Sequence, residues 1–186
     1  IEPGHAGDGA TGADRQGRCS VGPAQGQLQA LAPGQRRCQR AGEGVAGADA
    51  THFAKPQDVA SLPDGRILIA DGLDNHRIMI FDKDLNYLSE FGGKGSGPGQ
   101  FNGVHAVAVG PGGRIFALDR SGGRVNVFRT TSDPKKVEFE ASWPGFRLPL
   151  DLIVNDDAVW MTDLSPLRFI KLNFKVCAGI TMQSPN

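Results

Sequence analysis

One unit of sequence constrains the fold of this chain most, because it occurs more than once. In its first copy, Phe53 to Asp82, a Pro-Asp-Gly turn at residues 63–65 precedes the apolar run Arg66 to Ala70. Proline presets φ and glycine accepts a left-handed conformation, so this turn reverses the chain. The apolar run is typical of a strand covered on both faces, and a second turn leads to the alternating segment Arg77 to Phe81. With a short strand at Asp58 to Ala60, the unit predicts three antiparallel strands.

Two further copies follow at regular intervals. Gly113 to Ile115 lies 48 residues after Gly65 to Ile67, and the third copy follows after a further 44 or 45 residues. Residues 86–91 and 137–143 supply a fourth strand to the first two copies. Repeats of about 40–50 residues with four short strands each are typical of β-propeller blades. The sequence therefore predicts an all-β fold. It is a partial propeller with three recognisable blades, at residues 53–92, 101–143 and 146–174.

The chain outside these repeats differs in composition. Residues 1–50 are rich in Gly, Ala, Gln and Arg, contain no Phe, Tyr or Trp, and lack strand-like alternation. We predict a leader at 1–50 that is either disordered or foreign to the fold, propeller blades at 51–175, and a tail at 176–186 that leaves the repeat. Six blades of this length need about 250–280 residues, so a chain of 186 residues predicts an open arc.

The motifs within the repeats resemble a known family. Asn75-His76-Arg77, followed by Ile-x-Ile-Phe-Asp, is similar to the motif that names the NHL repeats, which build six-bladed β-propellers. Within that family the closest likeness is to the peptidyl-α-hydroxyglycine α-amidating lyase domain. The likeness covers residues 51 to about 174. The segments that carry it are, in order, His52 to Ala60, Asp71 to Ile78, Pro98 to Phe101, His105 to Ala108, and Leu118-Asp119-Arg120.

The central channel of a propeller is lined by the innermost strand of each blade, where Gln57, His105 and Leu150 occupy equivalent positions. The resemblance implies that His105 is one of three histidines that bind zinc, which favours imidazole ligands. It also implies calcium as a cofactor. The alternative to a zinc ligand is that His105 is a solvated or hydrogen-bonded histidine at the start of a strand.

Two more positions, Arg120 and Leu73, are relevant to a catalytic role. The resemblance places Arg120 opposite the substrate, where a guanidinium orients a carboxylate or an oxyanion. The alternative is a turn arginine that pairs with Asp119 or Asp74. The family's catalytic tyrosine falls on Leu73, whose side chain cannot take a proton.

A regular aspartate closes the second strand of each copy, and this regularity predicts a structural role. Such a side chain accepts amide hydrogen bonds in the following turn, and an arginine near it serves as charge partner. The aspartates and arginines concerned are Asp71, Asp119 and Asp163, with Arg77, Arg124 and Arg168.

Two functional classes follow from these observations. One is a non-catalytic propeller module that binds a protein or peptide ligand, and the other is a zinc-dependent lyase or hydrolase-like enzyme with His105 and Arg120 at its site. A net charge of zero without basic clusters disfavours nucleic acid as a partner. The sequence predicts neither a membrane span nor an export signal, and it leaves the compartment open. The open blade edges predict self-association.

Overall fold

A computed structural model describes residues 46–155 and 158–174 of the protein, and these residues form eleven strands in three antiparallel sheets. The first sheet contains β1 (Pro56–Ser61), β2 (Ile67–Asp71), β3 (Arg77–Phe81) and β4 (Tyr87–Gly92). The second contains β5 (Val104–Val109), β6 (Arg114–Asp119), β7 (Arg124–Thr130) and β8 (Val137–Pro144), with a 3₁₀ turn at Pro111–Gly113. The third contains β9 (Pro149–Val154), β10 (Ala158–Leu164) and β11 (Leu167–Asn173).

The order of the strands confirms the predicted all-β propeller fold. The first two sheets are meanders in the orders β1-β2-β3-β4 and β5-β6-β7-β8, and the third has the order β11-β10-β9. We call these sheets blade 1, blade 2 and blade 3. Residues 1–45 and 175–186 of the predicted leader and tail lie outside the described residues, so the predicted domain boundaries remain predictions, as does self-association.

Strand β6 shows how the blades pack on one another. Ile115 and Ala117 belong to a core shared with blade 1, whereas Phe116 and Leu118 belong to a core shared with blade 3. All four side chains are fully buried. Burying a large apolar side chain contributes about 1.5–3 kcal/mol, so both faces of β6 hold the blades together.

Strand β2 differs in part from the prediction that both of its faces are covered. Leu68 and Ala70 are fully buried against blade 2. Ile67 and Ile69 point to the opposite face of the sheet and are only half-buried. Blade 1 is the first blade among the described residues, so this face of β2 has no preceding blade on it.

A buried aspartate ends the second strand of each described blade and has the predicted structural role, but most of its backbone donors lie before the first strand of the blade and not in the turn that follows the second strand. Asp119 is fully buried and accepts hydrogen bonds from the backbone N–H groups of Asn102 (3.0 Å), Gly103 (2.9 Å) and Gly122 (3.1 Å). Its carboxylate also lies 2.9 Å from Nε of Arg124 on β7. The aspartate therefore fastens the segment before β5 and the third strand to the end of the second strand.

The other two blades repeat this arrangement. Asp71 accepts from the backbone N–H of Ala54 (2.8 Å) and pairs with Arg77 (3.1 Å). Asp163 accepts from the backbone N–H of Leu148 (2.8 Å) and pairs with Arg168 (2.8 Å). Burial raises the pKa of Asp163, but the hydrogen bonds that it accepts outweigh this effect and lower the pKa to about 2.

Within residues 46–155 and 158–174, no helix has the length and apolar composition that a membrane crossing requires.

Candidate functional site

The innermost strands β1, β5 and β9 are neighbours and line one side of an open groove. The groove has a volume of about 450 Å³, and its lining comes from residues 58–61, 107–109 and 151–154. His105 is not among these lining residues, because it lies near the beginning of β5, towards one end of the strand. The candidate site therefore lies at the beginning of β5, beside the groove, and we call this end of the strand, with His105, the rim.

His105 is half-buried, and its ring has a fixed orientation. Nδ1 lies 2.7 Å from the backbone carbonyl oxygen of Leu150 on β9. A carbonyl oxygen can only accept, so in the neutral ring Nδ1 carries the proton and Nε2 has the lone pair. The predicted alternative, a hydrogen-bonded histidine at a strand start, is observed. A histidine that binds a metal through one ring nitrogen is usually oriented in the same way, because its other ring N–H donates to a backbone carbonyl or a carboxylate.

The positions equivalent to His105 in the neighbouring blades do not add imidazole ligands. The side-chain amide of Gln57 donates to the backbone oxygen of Lys55 at 2.9 Å. Leu150 contributes its carbonyl oxygen to His105 and has an alkyl side chain. In the part of the chain that the structure describes, no group of three or more His, Cys, Asp or Glu side chains is placed to hold a metal ion. Of the three equivalent positions Gln57, His105 and Leu150, only His105 thus supplies an imidazole.

Arg120 lies in the turn after β6 and is half-buried. Its backbone N–H donates to the carbonyl oxygen of Gly103 at 3.0 Å, which fixes Arg120 beside the beginning of β5. The predicted alternative, pairing with Asp119 or Asp74, is wrong, because Asp119 pairs with an arginine on β7 and Asp74 pairs with Lys55 at 3.0 Å. The guanidinium of Arg120 has no ion pair or hydrogen bond to any described residue, so it can receive a carboxylate or carbonyl oxygen.

Leu73 lies at the same rim. The turn that carries it packs so closely on β5 that a side chain on Gly72 would collide with the carbonyl oxygen of Val104. Cδ2 of Leu73 lies 3.8 Å from the position that a Cβ atom on Gly103 would occupy. Leu73 and Arg120 therefore both lie beside the beginning of β5, the strand that carries His105.

One residue near the groove was missed by the sequence reasoning. Oδ2 of Asp58 on β1 accepts from the backbone N–H of Val107 on β5 at 2.9 Å, which ties blade 1 to blade 2. Its other oxygen accepts from the backbone N–H of Val59 at 2.8 Å. Aspartate is disfavoured inside strands, so its presence in the apolar segment Asp58 to Ala60 was the available signal.

Comparisons with known proteins agree with this architecture. Residues 49–140 match the family model described as a 6-bladed beta-propeller. The peptidyl-glycine alpha-amidating monooxygenase of Mus musculus is 36% identical over 142 residues, which cover 69% of this chain and 14% of that protein. A probable peptidyl-alpha-hydroxyglycine alpha-amidating lyase of Caenorhabditis elegans is 34% identical over 45% of this chain and 25% of that protein.

A third relative is named after the NHL repeat. The NHL repeat-containing protein 3 of Homo sapiens is 33% identical over 41% of this chain and 22% of that protein. The chain thus spans a quarter or less of the length of these relatives. Its propeller domain resembles the lyase domain of the amidating enzymes. The three antiparallel blades and the match over residues 49–140 thus show the fold of a six-bladed β-propeller, and the repeats are similar to those of NHL repeat proteins.

Proposed function

We propose that this propeller is a binding or structural module that resembles the amidating lyase domain without its intact chemistry. The observation that carries the proposal is that Leu73 lies beside the beginning of β5, where the resemblance implies the lyase's catalytic tyrosine. An alkyl group neither accepts nor donates a proton, so the proton transfer expected of that position has no carrier.

The same rim is suited to holding a protein or peptide ligand. The guanidinium of Arg120 is half-buried and has no partner among the described residues, and a fork of N–H donors binds a carboxylate or carbonyl oxygen with defined geometry. Leu73 adds an apolar contact on one side. Arg120 is therefore the residue that we expect to position a bound segment.

A second candidate function is a zinc-dependent lyase or hydrolase-like enzyme, and one observation favours it. The hydrogen bond from His105 Nδ1 to the carbonyl oxygen of Leu150 leaves Nε2 with its lone pair, as in a metal-binding histidine. Zinc at such a position polarises a bound oxygen or activates water. Further ligands would have to come from outside the described channel positions, since Gln57 and Leu150 supply no imidazole.

Zinc content and turnover distinguish the two functions. For the module, we expect the purified chain to hold well under one zinc per molecule after dialysis. We also expect it to leave a peptidyl-α-hydroxyglycine substrate intact when zinc is added. The variant His105→Ala should then behave like the unmodified chain and change stability only slightly.

The matched control is His52→Ala, which removes an imidazole that is hydrogen-bonded to Asp49 and is 37% exposed. Near-stoichiometric zinc together with turnover, both lost in His105→Ala and kept in His52→Ala, would contradict the module and establish the enzyme.

A further inference from the structure

The two ends of the sheets differ in charge. Because each blade is an antiparallel meander, the turn after each second strand and the segment that leads into the next blade lie at the end where the rim is. These connecting segments are 72–76, 93–103, 120–123 and 145–148. Asp74 is the only acidic residue in these four segments, all of which the structure describes, and it pairs with Lys55 at 3.0 Å. The aspartates that end the second strands are buried and paired with arginines. The turns at the opposite end carry Asp64, Asp82, Asp84 and Asp133.

Three cations in the connecting segments at the rim end have no carboxylate beside them. The charged groups of Lys94, Arg120 and Arg147 make no hydrogen bond or ion pair with any described residue. Lys94 and Arg147 are exposed, and Arg120 is half-buried. The rim end therefore has positive charge that the described residues do not neutralise, and such a surface attracts an anionic ligand.

Two of these cations, Arg120 and Arg147, lie on segments that are hydrogen-bonded to each other. The backbone N–H of Gly123 donates to the carbonyl oxygen of Arg120 at 3.3 Å and closes the turn after β6, and the backbone N–H of Phe146 donates to the carbonyl oxygen of Gly123 at 3.1 Å. One turn, one hydrogen bond and one peptide bond thus connect the two arginines. Their Cα atoms are therefore no more than about 16 Å apart.

The backbone of Arg147 is held in place although its guanidinium is free. Its N–H donates to Oδ2 of the buried Asp163 at 3.2 Å, and the N–H of Leu148 donates to Oδ1 of the same side chain at 2.8 Å. Nη2 of Arg168 donates to the carbonyl oxygen of Gly145 at 2.9 Å. A cation on a fixed backbone loses less conformational freedom when it binds a ligand.

We propose that Arg147 and Arg120 together bind an acidic segment of a partner protein, with each guanidinium receiving a side-chain carboxylate. The planar fork of N–H donors in arginine matches the two oxygens of a carboxylate. An extended chain advances by about 3.3–3.6 Å per residue, so a segment of about five residues spans the two arginines. This inference rests on the proposed function, because it names the class of ligand at the rim, and it adds Arg147 to the residues that bind this ligand.

Nucleic acid is less suited to this surface. The formal net charge of the chain is zero, whereas nucleic-acid binding gains its affinity from many phosphate contacts. Three cations on three separate segments match a short segment with a few carboxylates better than a continuous phosphate backbone.

The test measures binding of a labelled synthetic peptide to the full chain by fluorescence anisotropy. The peptide GEGEGEG has an acetylated N-terminus, an amidated C-terminus and a neutral dye, so its only charges are side-chain carboxylates. We expect saturable binding that weakens as the salt concentration rises. The peptide GQGQGQG should bind about tenfold more weakly, because hydrogen bonds to charged groups are lost.

Protein variants locate the contact. Arg147→Gln should weaken binding of the glutamate peptide about threefold, as for an exposed ion pair, and Arg120→Gln about tenfold, because its guanidinium is half-buried. Both variants should keep the melting temperature of the unmodified chain, since neither guanidinium has a partner among the described residues. Lys135→Gln is the matched control, because it removes an exposed positive charge from a turn at the opposite end of blade 2, and it should leave the affinity unchanged.

Three results would overturn the proposal. They are equal affinities of the glutamate and glutamine peptides, an unchanged affinity in Arg147→Gln, and a loss in Lys135→Gln as large as that in Arg147→Gln. Tighter binding of a single-stranded oligonucleotide than of the glutamate peptide at the same salt concentration would also overturn it and identify nucleic acid as the ligand. These outcomes are separate from the test of the proposed function, which depends on zinc content and turnover and not on the affinity for an acidic peptide.

Discussion

Removing the carboxylate of Asp119 should be one of the most destabilising single substitutions in the described chain. The variant is Asp119→Ala. In the structure this fully buried side chain accepts from three backbone N–H groups and pairs with Arg124, whose side chain is 11% exposed. The substitution therefore leaves one nearly buried guanidinium without its carboxylate and three donors without acceptors.

The magnitude follows from these contacts. Breaking a buried ion pair by removing one partner costs about 3–5 kcal/mol, and each buried donor left unsatisfied costs about 1–3 kcal/mol. These costs overlap, because water can enter the space that the carboxylate leaves. We expect the free energy of unfolding to fall by about 3–5 kcal/mol, a large part of the 5–15 kcal/mol typical of a folded domain.

Urea denaturation measures this loss, with tryptophan fluorescence and far-ultraviolet circular dichroism as probes. The control is Glu138→Ala, which removes a pair with Arg129 whose partners are 57% and 64% exposed, and we expect it to cost less than about 1 kcal/mol. If Asp119→Ala does not fold, Asp119→Asn keeps the shape of the side chain and should lose less stability than alanine but more than the control. A loss from Asp119→Ala no larger than that from Glu138→Ala would refute the reasoning.

Three further predictions concern pH, close packing and the core. The lowered pKa of Asp163 stabilises the fold above about pH 4, and this stability is lost as pH falls towards 2, so Asp163→Asn should lose less stability than the unmodified chain in an acid titration. Gly72→Ala should lower the melting temperature, since its methyl group would meet the carbonyl oxygen of Val104 and overpacking costs about 1–3 kcal/mol. Phe101→Ala empties a fully buried position and should cost about 3–5 kcal/mol in urea denaturation, whereas Phe169→Ala at a 68% exposed position should cost much less.

The strands could be predicted because their signals are local. Arg77 to Phe81 alternates polar and apolar residues and follows a turn, and the structure has β3 at the same residues. A proline-glycine turn and the spacing of the copies placed the other strands within a residue or two of their observed bounds. The pairing of Asp71 with Arg77 was also predictable, because both residues flank one turn.

Contacts between blades could not be predicted in this way. Asp58 binds the backbone of Val107, 49 residues away, and Nη1 of Arg66 donates to the carbonyl oxygen of Pro134, 68 residues away, at 2.5 Å. No local pattern specifies which backbone group will face such a side chain. The equivalence of the repeats placed His105 near the channel, but its hydrogen bond to the carbonyl oxygen of Leu150 depends on the angle between neighbouring blades.

The burial of β6 on both faces also determines the order in which the described blades should unfold. The main contacts between the described blades join blade 1 to blade 2 and blade 2 to blade 3, so we expect the described residues to behave as a short linear array in which stability is a sum of units and interfaces. Blade 2 shares one core with blade 1 and another with blade 3, whereas each outer blade shares only one of these cores. Partial openings should therefore begin in the outer blades and proceed inwards, so that the amides of β6 open only with the last cooperative unit to unfold.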